Sequence, residues 1–77
     1  MLREHDSAVL MHDLPEYGLK RGDVGTIVMV HPQGGYEVEF VTLDGETIAV
    51  TSRSADEMRS IARLEIAHAR GIEVPQA

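Results

Sequence analysis

The sequence predicts a mainly β fold, a small antiparallel β-barrel of about five strands with a C-terminal helical segment. Short apolar segments recur along residues 1–62, and turn residues separate them at regular intervals. One of these segments alternates cleanly between apolar and polar positions, as a half-buried strand does. The chain has 77 residues, enough for a single small domain. We place the barrel at residues 1–62, and the helical segment and tail at residues 63–77.

The first two strands are separated by a long loop. Ser7–Met11 is short and apolar and predicts the first strand. His12–Arg21 contains a proline and a glycine, which predict a loop with apolar residues of its own. Residues 23–31 are rich in β-branched side chains and predict the second strand. Gly25 lies inside this strand and indicates either a β-bulge or a close approach of another element to the backbone.

The third strand carries the clearest pattern. A Pro-Gln-Gly-Gly turn at residues 32–35 precedes it. In Tyr36–Val41, the side chains of Tyr36, Val38 and Phe40 share one face, and Glu37 and Glu39 share the other. The alternation therefore predicts a half-buried strand with an acidic outer face.

A hairpin connects the third strand to the fourth. The dipeptide at residues 44–45 is Asp-Gly, which favours a tight hairpin turn. Glu46–Thr51 predicts the fourth strand, with Ile48 and Val50 on the same face. Together with the second and third strands it forms an antiparallel meander.

The residues after the fourth strand allow two interpretations. Ser54 and Glu57 match a helix capping box, and the apolar stripe that follows predicts one long helix over residues 55–70. The alternative is a single helical turn at Ala55–Glu57, a fifth strand at Met58–Ala62 and a shorter helix after it. Local signals favour the first interpretation, whereas the need to close the edge of a barrel favours the second.

Composition excludes several classes of protein. The longest wholly apolar run is Ile27–Val30, far short of the roughly 20 residues that a membrane helix needs. Thirteen acidic and seven basic residues give a net charge of −6, which disfavours nucleic acid and favours a basic protein partner. The chain has no cysteine, and no apolar leader follows its charged first residues. We therefore expect a cytoplasmic protein without disulfides.

The motifs of the first three strands resemble those of a known family. It comprises small bacterial proteins of unknown function with an SH3-like barrel. The shared motifs are a D-x-P loop (residues 13–15), an L-K-x-G-D-x-G-T-x-V run (19–28), Y-E-V-E-F (36–40) and D-G (44–45). The resemblance implies an SH3-like fold, a helical turn at Ala55–Glu57 and a fifth strand at Met58–Ala62. Gly22–Val28 is also weakly similar to the KOW motif of ribosomal and transcription-factor domains.

The resemblance implies a partner protein and supplies no catalytic residues. Members of the family look like small accessory proteins, some of them proposed to be antitoxin-like. We therefore predict a non-enzymatic protein-binding module that acts by surface occlusion, needs no cofactor, and binds a basic protein or a second copy. The alternative is a KOW-like module associated with RNA or the ribosome.

Three groups of residues are candidates for partner binding. The first loop flanks the ligand groove in SH3-like barrels, the glutamates of the third strand suit the steering of a basic partner, and the C-terminal apolar residues suit docking. In each case the alternative is ordinary packing or solvation. The predicted residues are Leu14, Tyr17, Leu19, Glu37, Glu39, Ile61, Leu64 and Ile66.

Histidine and aspartate form two pairs, His5-Asp6 and His12-Asp13, that invite a comparison with metal sites. The pairs are seven positions apart, so on a strand their side chains would point to opposite sides. We therefore predict no metal site.

Overall fold

The computed structural model describes residues 1–73 and is mainly β. Its five strands form one antiparallel sheet in the order β4-β3-β2-β1-β5. Single 3₁₀ turns lie at Pro15–Tyr17 and Ala55–Glu57. The strands are β1 (Ser7–Leu10), β2 (Val24–Val30), β3 (Tyr36–Val41), β4 (Thr47–Arg53) and β5 (Met58–Ser60). The predicted mainly β, antiparallel class is thus confirmed. The sheet is open between β4 and β5, so the closure of a barrel stays a prediction.

Within residues 1–73 no helix has the length and apolar character that crossing a membrane requires.

The core is a small apolar cluster. Its four largest fully buried side chains come from three adjacent strands, which is where the alternation in the sequence puts apolar residues. They are Leu10, Ile27, Val38 and Phe40. Met58 of β5 and Leu2 of the N-terminal segment also belong to the cluster. Every strand except β4 contributes a buried residue to it, and β4 contributes a partly buried one, Ile48.

Gly25 is the point where β2 comes closest to its neighbours. A Cβ atom added there would lie 2.6 Å from Val38 Cγ1 and 2.9 Å from Phe40 Cε1. Real Cβ atoms do not approach other atoms this closely, so only glycine fits. Of the two alternatives that the sequence left open, the close approach is the correct one.

The bulges lie elsewhere. One register shift in β2 leaves Val28 as an extra residue between Ile27 and Met29. A second shift leaves Ile48 as an extra residue, since Phe40 pairs with Ala49 but Val41 pairs with Thr47. An inserted residue changes which side chains face the core. Ile48 packs partly against the core, but Val50 points outward and is 53% exposed, so the shared face predicted for this pair is wrong.

The region after β4 follows the second interpretation. The capping box of Ser54 and Glu57 is present, but it opens only the turn at Ala55–Glu57. The fifth strand is confirmed at Met58–Ser60, two residues shorter than expected. This strand pairs antiparallel with β1 and forms the edge of the sheet on that side.

The predicted C-terminal helical segment is wrong over residues 63–73, which contain no helix. Two features of this stretch do not fit a helix. Leu64 adopts a φ of 62°, a left-handed conformation that a helix interior does not allow. The side chain of Glu65 folds back and accepts a hydrogen bond from the backbone N–H of Ala62 at 2.6 Å. Residues 74–77 of the predicted tail lie outside the described part of the chain.

Replacing Gly25 with alanine should destabilise the fold. The added methyl group meets Val38 and Phe40, both buried, so the core must shift, at a cost of about 1–3 kcal/mol in free energy of unfolding. Urea denaturation measures this. Gly71→Ala is the matched control, because nothing lies within 4 Å of the position where its Cβ would stand. Equal stability of the two variants would contradict the close packing of β2.

Candidate protein-binding surfaces

The outer face of β2, β3 and β4 combines acidic and apolar side chains. Its middle consists of two rows of cross-strand neighbours, one joining Met29, Glu37 and Ser52 and the other joining Thr26, Glu39 and Val50. Both glutamates carry their charge on the outside of the sheet. Met29 and Val50 are about half exposed, at 50% and 53%. We call these six residues the acidic sheet face.

Glu37 is held in place from two sides. Its Oε2 atom accepts a hydrogen bond from Ser52 Oγ at 2.7 Å, and lies 2.9 Å from His31 Nε2. The hydrogen bond from Ser52, followed by that of His31, lowers the pKa of Glu37 below its ordinary value. The carboxylate is therefore ionised and oriented, although it is exposed on the surface.

Glu39 is held more loosely. Thr47 Oγ1 donates a hydrogen bond to its Oε2 atom at 2.9 Å. Because Glu39 lies between Thr26 and Val50 on the neighbouring strands, the carboxylate projects from the centre of the sheet rather than from a turn. The alternation along β3 thus places the charges of Glu37 and Glu39 on the same face of the sheet, as the sequence predicted.

The serine, glutamate and histidine of this face do not form a catalytic triad. In a triad the histidine lies between the nucleophile and the acid and removes the nucleophile's proton. Here the carboxylate of Glu37 lies in the middle, and Ser52 donates directly to it. Ser52 therefore has no hydrogen bond to His31, and both side chains instead hold the Glu37 carboxylate in one orientation.

The first-loop candidates divide between the core and the surface. Leu14 and Leu19 form an isolated antiparallel bridge and are each only 5% exposed. Tyr17 lies between them on the 3₁₀ turn and packs partly against the core. The two leucines thus seal one end of the fold, which was the alternative interpretation. Tyr17 retains some exposed surface.

The C-terminal candidates lie on an extended segment. Ile61, Leu64 and Ile66 are all exposed, at 48%, 85% and 95%. They do not form the helical stripe that the sequence suggested. Leu64 and Ile66 therefore expose apolar surface separately and do not form a continuous apolar stripe.

An ion pair fixes the first part of this segment. Arg59 of β5 binds both carboxylate oxygens of Glu65, with distances of 2.9 Å and 2.7 Å. The hydrogen bonds from Arg59, and then the one from the backbone of Ala62, lower the pKa of Glu65 to about 2. The chain therefore turns sharply after β5.

A second ion pair and an apolar contact fix the far end. Arg70 binds the carboxylate of Asp23 at the start of β2, and also donates to the carbonyl oxygen of Gly18 at 3.3 Å. Ile72 packs against the core cluster. A Cβ at Gly18 would lie 2.6 Å from the carbonyl oxygen of Glu73, so this glycine leaves room for the returning chain.

Between these two anchors the segment stands away from the sheet. A groove of about 670 Å³ separates it from the β3–β4 turn, and a second one of about 400 Å³ lies on its other side. Ile66 and Ala67 line both grooves. Leu43 of the β3–β4 turn lines the larger groove and is 93% exposed. This is a second apolar surface, separate from the acidic sheet face.

The arginines near the C-terminus do not form a basic stripe. Arg53 binds Glu57 at 3.2 Å, and Arg59 and Arg70 bind Glu65 and Asp23 as described. RNA binding requires cations that contact the phosphate groups, and these three arginines are instead paired with carboxylates of the protein. This arrangement disfavours the KOW-like alternative.

The aspartates of the two histidine–aspartate pairs bind backbone N–H groups. Asp6 accepts a hydrogen bond from the backbone N–H of Arg3, and Asp13 accepts one from the backbone N–H of Arg21. Among residues 1–73, no group of three or more potential ligands comes together to hold a metal ion.

These features define a small antiparallel β domain with an acidic outer face. A family model, described as a domain of unknown function (DUF4926), matches residues 4–60. The chain belongs to this family, and the resemblance to a family of unknown function is confirmed. A search of curated proteins and a search of solved structures each find no match. The similarity to KOW motifs stays a prediction.

Sequence reasoning found the acids of the outer face but missed their neighbours. Ser52 lies just beyond the predicted end of the fourth strand, and the sequence spacing does not show that it lies across from Glu37. Val50 was placed with Ile48 because the bulge was not foreseen. A serine two residues after a valine is too common a pattern to indicate that Ser52 lies beside Glu37 or that Val50 lies beside Glu39.

Removing Arg59 should raise the pKa of Glu65. The folded-state pKa lies below the ordinary value of 4.5, so the pair stabilises the fold above that pH and loses its effect as pH falls towards 2. In Arg59→Gln, we expect the Glu65 carboxyl to titrate nearer 4.5 in a carbon-13 NMR titration. Arg63→Gln removes the same charge two residues from Glu65 and should leave its pKa unchanged. A low Glu65 pKa in Arg59→Gln would contradict the pairing.

Proposed function

We propose that this protein is a non-enzymatic protein-binding module that docks a basic partner on its acidic sheet face. The observation that carries the proposal is the pairing of two outward carboxylates with the half-exposed side chains of Met29 and Val50. Acidic groups steer a basic partner to the surface, and the apolar side chains supply contact area after it arrives.

Charge supports a basic partner in particular. The net charge is −6, and the hydrogen bonds of Ser52 and His31 keep Glu37 ionised. An oriented carboxylate loses less entropy on pairing with a cation than a freely rotating one does.

We assign the module to the antitoxin-like or accessory class that its family resemblance implies, with surface occlusion as its mode of action. The absence of cysteine supports a role in the cytoplasm. The five antiparallel strands and their order support an SH3-like barrel, in which the outer face of β2–β4 would bind the partner.

The test compares two variants that change the charge equally. Glu37→Gln with Glu39→Gln, and Glu4→Gln with Glu16→Gln, each bring the net charge from −6 to −4, but only the first pair lies on the acidic sheet face. Binders captured from the source cells by the immobilised protein are purified. Their association rates with both variants are then measured at low and high salt.

We expect to capture a basic protein. It should associate with the Glu37/Glu39 variant roughly tenfold more slowly than with the wild type, and this rate should depend much less on salt. The reason is that surface charges at an interface act mainly on the association rate. The Glu4/Glu16 variant should bind as the wild type does. Equal effects of the two variants would contradict the proposed face, and binders that depend on RNA would favour the KOW-like alternative instead.

A further inference from the structure

A histidine lies at one end of the acidic sheet face. His31 directly follows β2, and its Nε2 atom lies 2.9 Å from Oε2 of Glu37. The Glu37 carboxylate is ionised and can only accept hydrogen bonds, so Nε2 carries the proton and donates it. The His31 side chain is 35% exposed, so its ring is open to solvent. Histidine is the side chain whose charge ordinarily changes between pH 5 and 8, so this contact links the charge of the face to pH.

The ring can take up a second proton without breaking this contact. Its other nitrogen, Nδ1, makes no hydrogen bond to any of residues 1–73, so the second proton binds there. The Nε2–H bond to Glu37 stays in place and becomes stronger, because hydrogen bonds between two charged groups are the strong ones. Protonation therefore changes the charge of the cluster and leaves its geometry as it is.

The groups around His31 leave this change uncompensated. Within residues 1–73, the one charged group within ion-pair distance of the ring is Glu37. β2 carries no titratable side chain, and Ser52, opposite Glu37 on β4, is neutral. Arg53, the next residue of β4, binds Glu57 instead. A proton on His31 therefore adds one positive charge directly beside Glu37.

We propose that His31 makes the acidic sheet face sensitive to pH, because protonation of its ring weakens the attraction of the face for a basic partner. This inference rests on the proposed function and adds a means of regulating the same site. The partner's cation would approach Oε1 of Glu37, which accepts no hydrogen bond from the described residues, whereas Ser52 and His31 both bind Oε2.

The charge of the face is small enough for one proton to matter. At neutral pH it is −2, from Glu37 and Glu39, and protonation of His31 brings the local charge to −1. Glu37 itself stays ionised at pH 5.5, because the hydrogen bonds of Ser52 and His31 hold its pKa below the ordinary value of 4.5. Coulomb attraction scales with charge, so the attraction for a cation should fall by roughly half.

A cationic nitroxide measures this attraction directly. It collects near negative surface and speeds the NMR relaxation of nearby amide protons, and a neutral nitroxide corrects for access. In the wild type, we expect the cationic-to-neutral ratio at Met29 and Val50 to fall by roughly half between pH 7.5 and 5.5. Carboxyl groups ordinarily titrate near pH 4, below this range.

Two histidine variants assign the effect. His31→Gln should keep the same ratio at both pH values. His12→Gln is the matched control and should respond as the wild type does, because His12 follows β1, which pairs with neither β3 nor β4. Nitrogen-15 shifts of the wild-type ring should show the proton on Nε2 at pH 7.5.

An equal fall in the wild type and His31→Gln would overturn the proposal, as would a ring that carries its proton on Nδ1 at pH 7.5. Neither measurement needs a partner, so the outcome is separate from the test of the proposed function. Failure to capture a basic protein would contradict that function, whereas an equal fall in the two proteins would contradict only the role of His31.

Discussion

The core depends on the close packing of the Val38 and Phe40 side chains over the backbone of Gly25. Because Gly25 has no side chain, these two residues of β3 can lie over the backbone of β2, where a Cβ atom would exclude them. The position is central, since β2 lies between β1 and β3 in the sheet. A few large residues can then fill the core, with Phe40 and Ile27 among the most buried.

A core of this size leaves much of the apolar content outside. The outer face of β2–β4, the turn after β3 and the segment after β5 all expose large apolar side chains. Fixed charges lie among them: Glu37 is oriented by Ser52 and His31, and two arginines secure the C-terminal segment. Hydrogen bonds and ion pairs, rather than burial, therefore hold these surface side chains in place.

The sequence predicted the elements whose signal is local. The turn residues and the alternation of Tyr36–Val41 located four strands and the acidic face. The predicted bounds of these strands differ from the observed ones by at most two residues. The fifth strand came from family resemblance, while local signals favoured a helix. The helix was wrong because its apolar stripe is outweighed by contacts distant in sequence, such as Arg70 with Asp23.

The inserted residue at Ile48 illustrates the other limit of sequence reasoning. Nothing in the Glu46–Thr51 run marks the insertion, because its side chains suit either face of a strand. The bulge arises where β4 meets β3, and it decides that Val50 rather than Ala49 is exposed. The apolar part of the candidate surface thus depends on strand register, which the sequence alone does not reveal.

The end of the family match at residue 60 coincides with the end of β5, yet packing continues beyond it. Ile72 contacts the core, and Gly18 makes room for the chain that follows. The stretch that the family model describes and the stretch that packs together therefore have different boundaries. A chain cut after residue 60 would keep all five strands, but it would lose the contact of Ile72 with the core and the cation that pairs with Asp23.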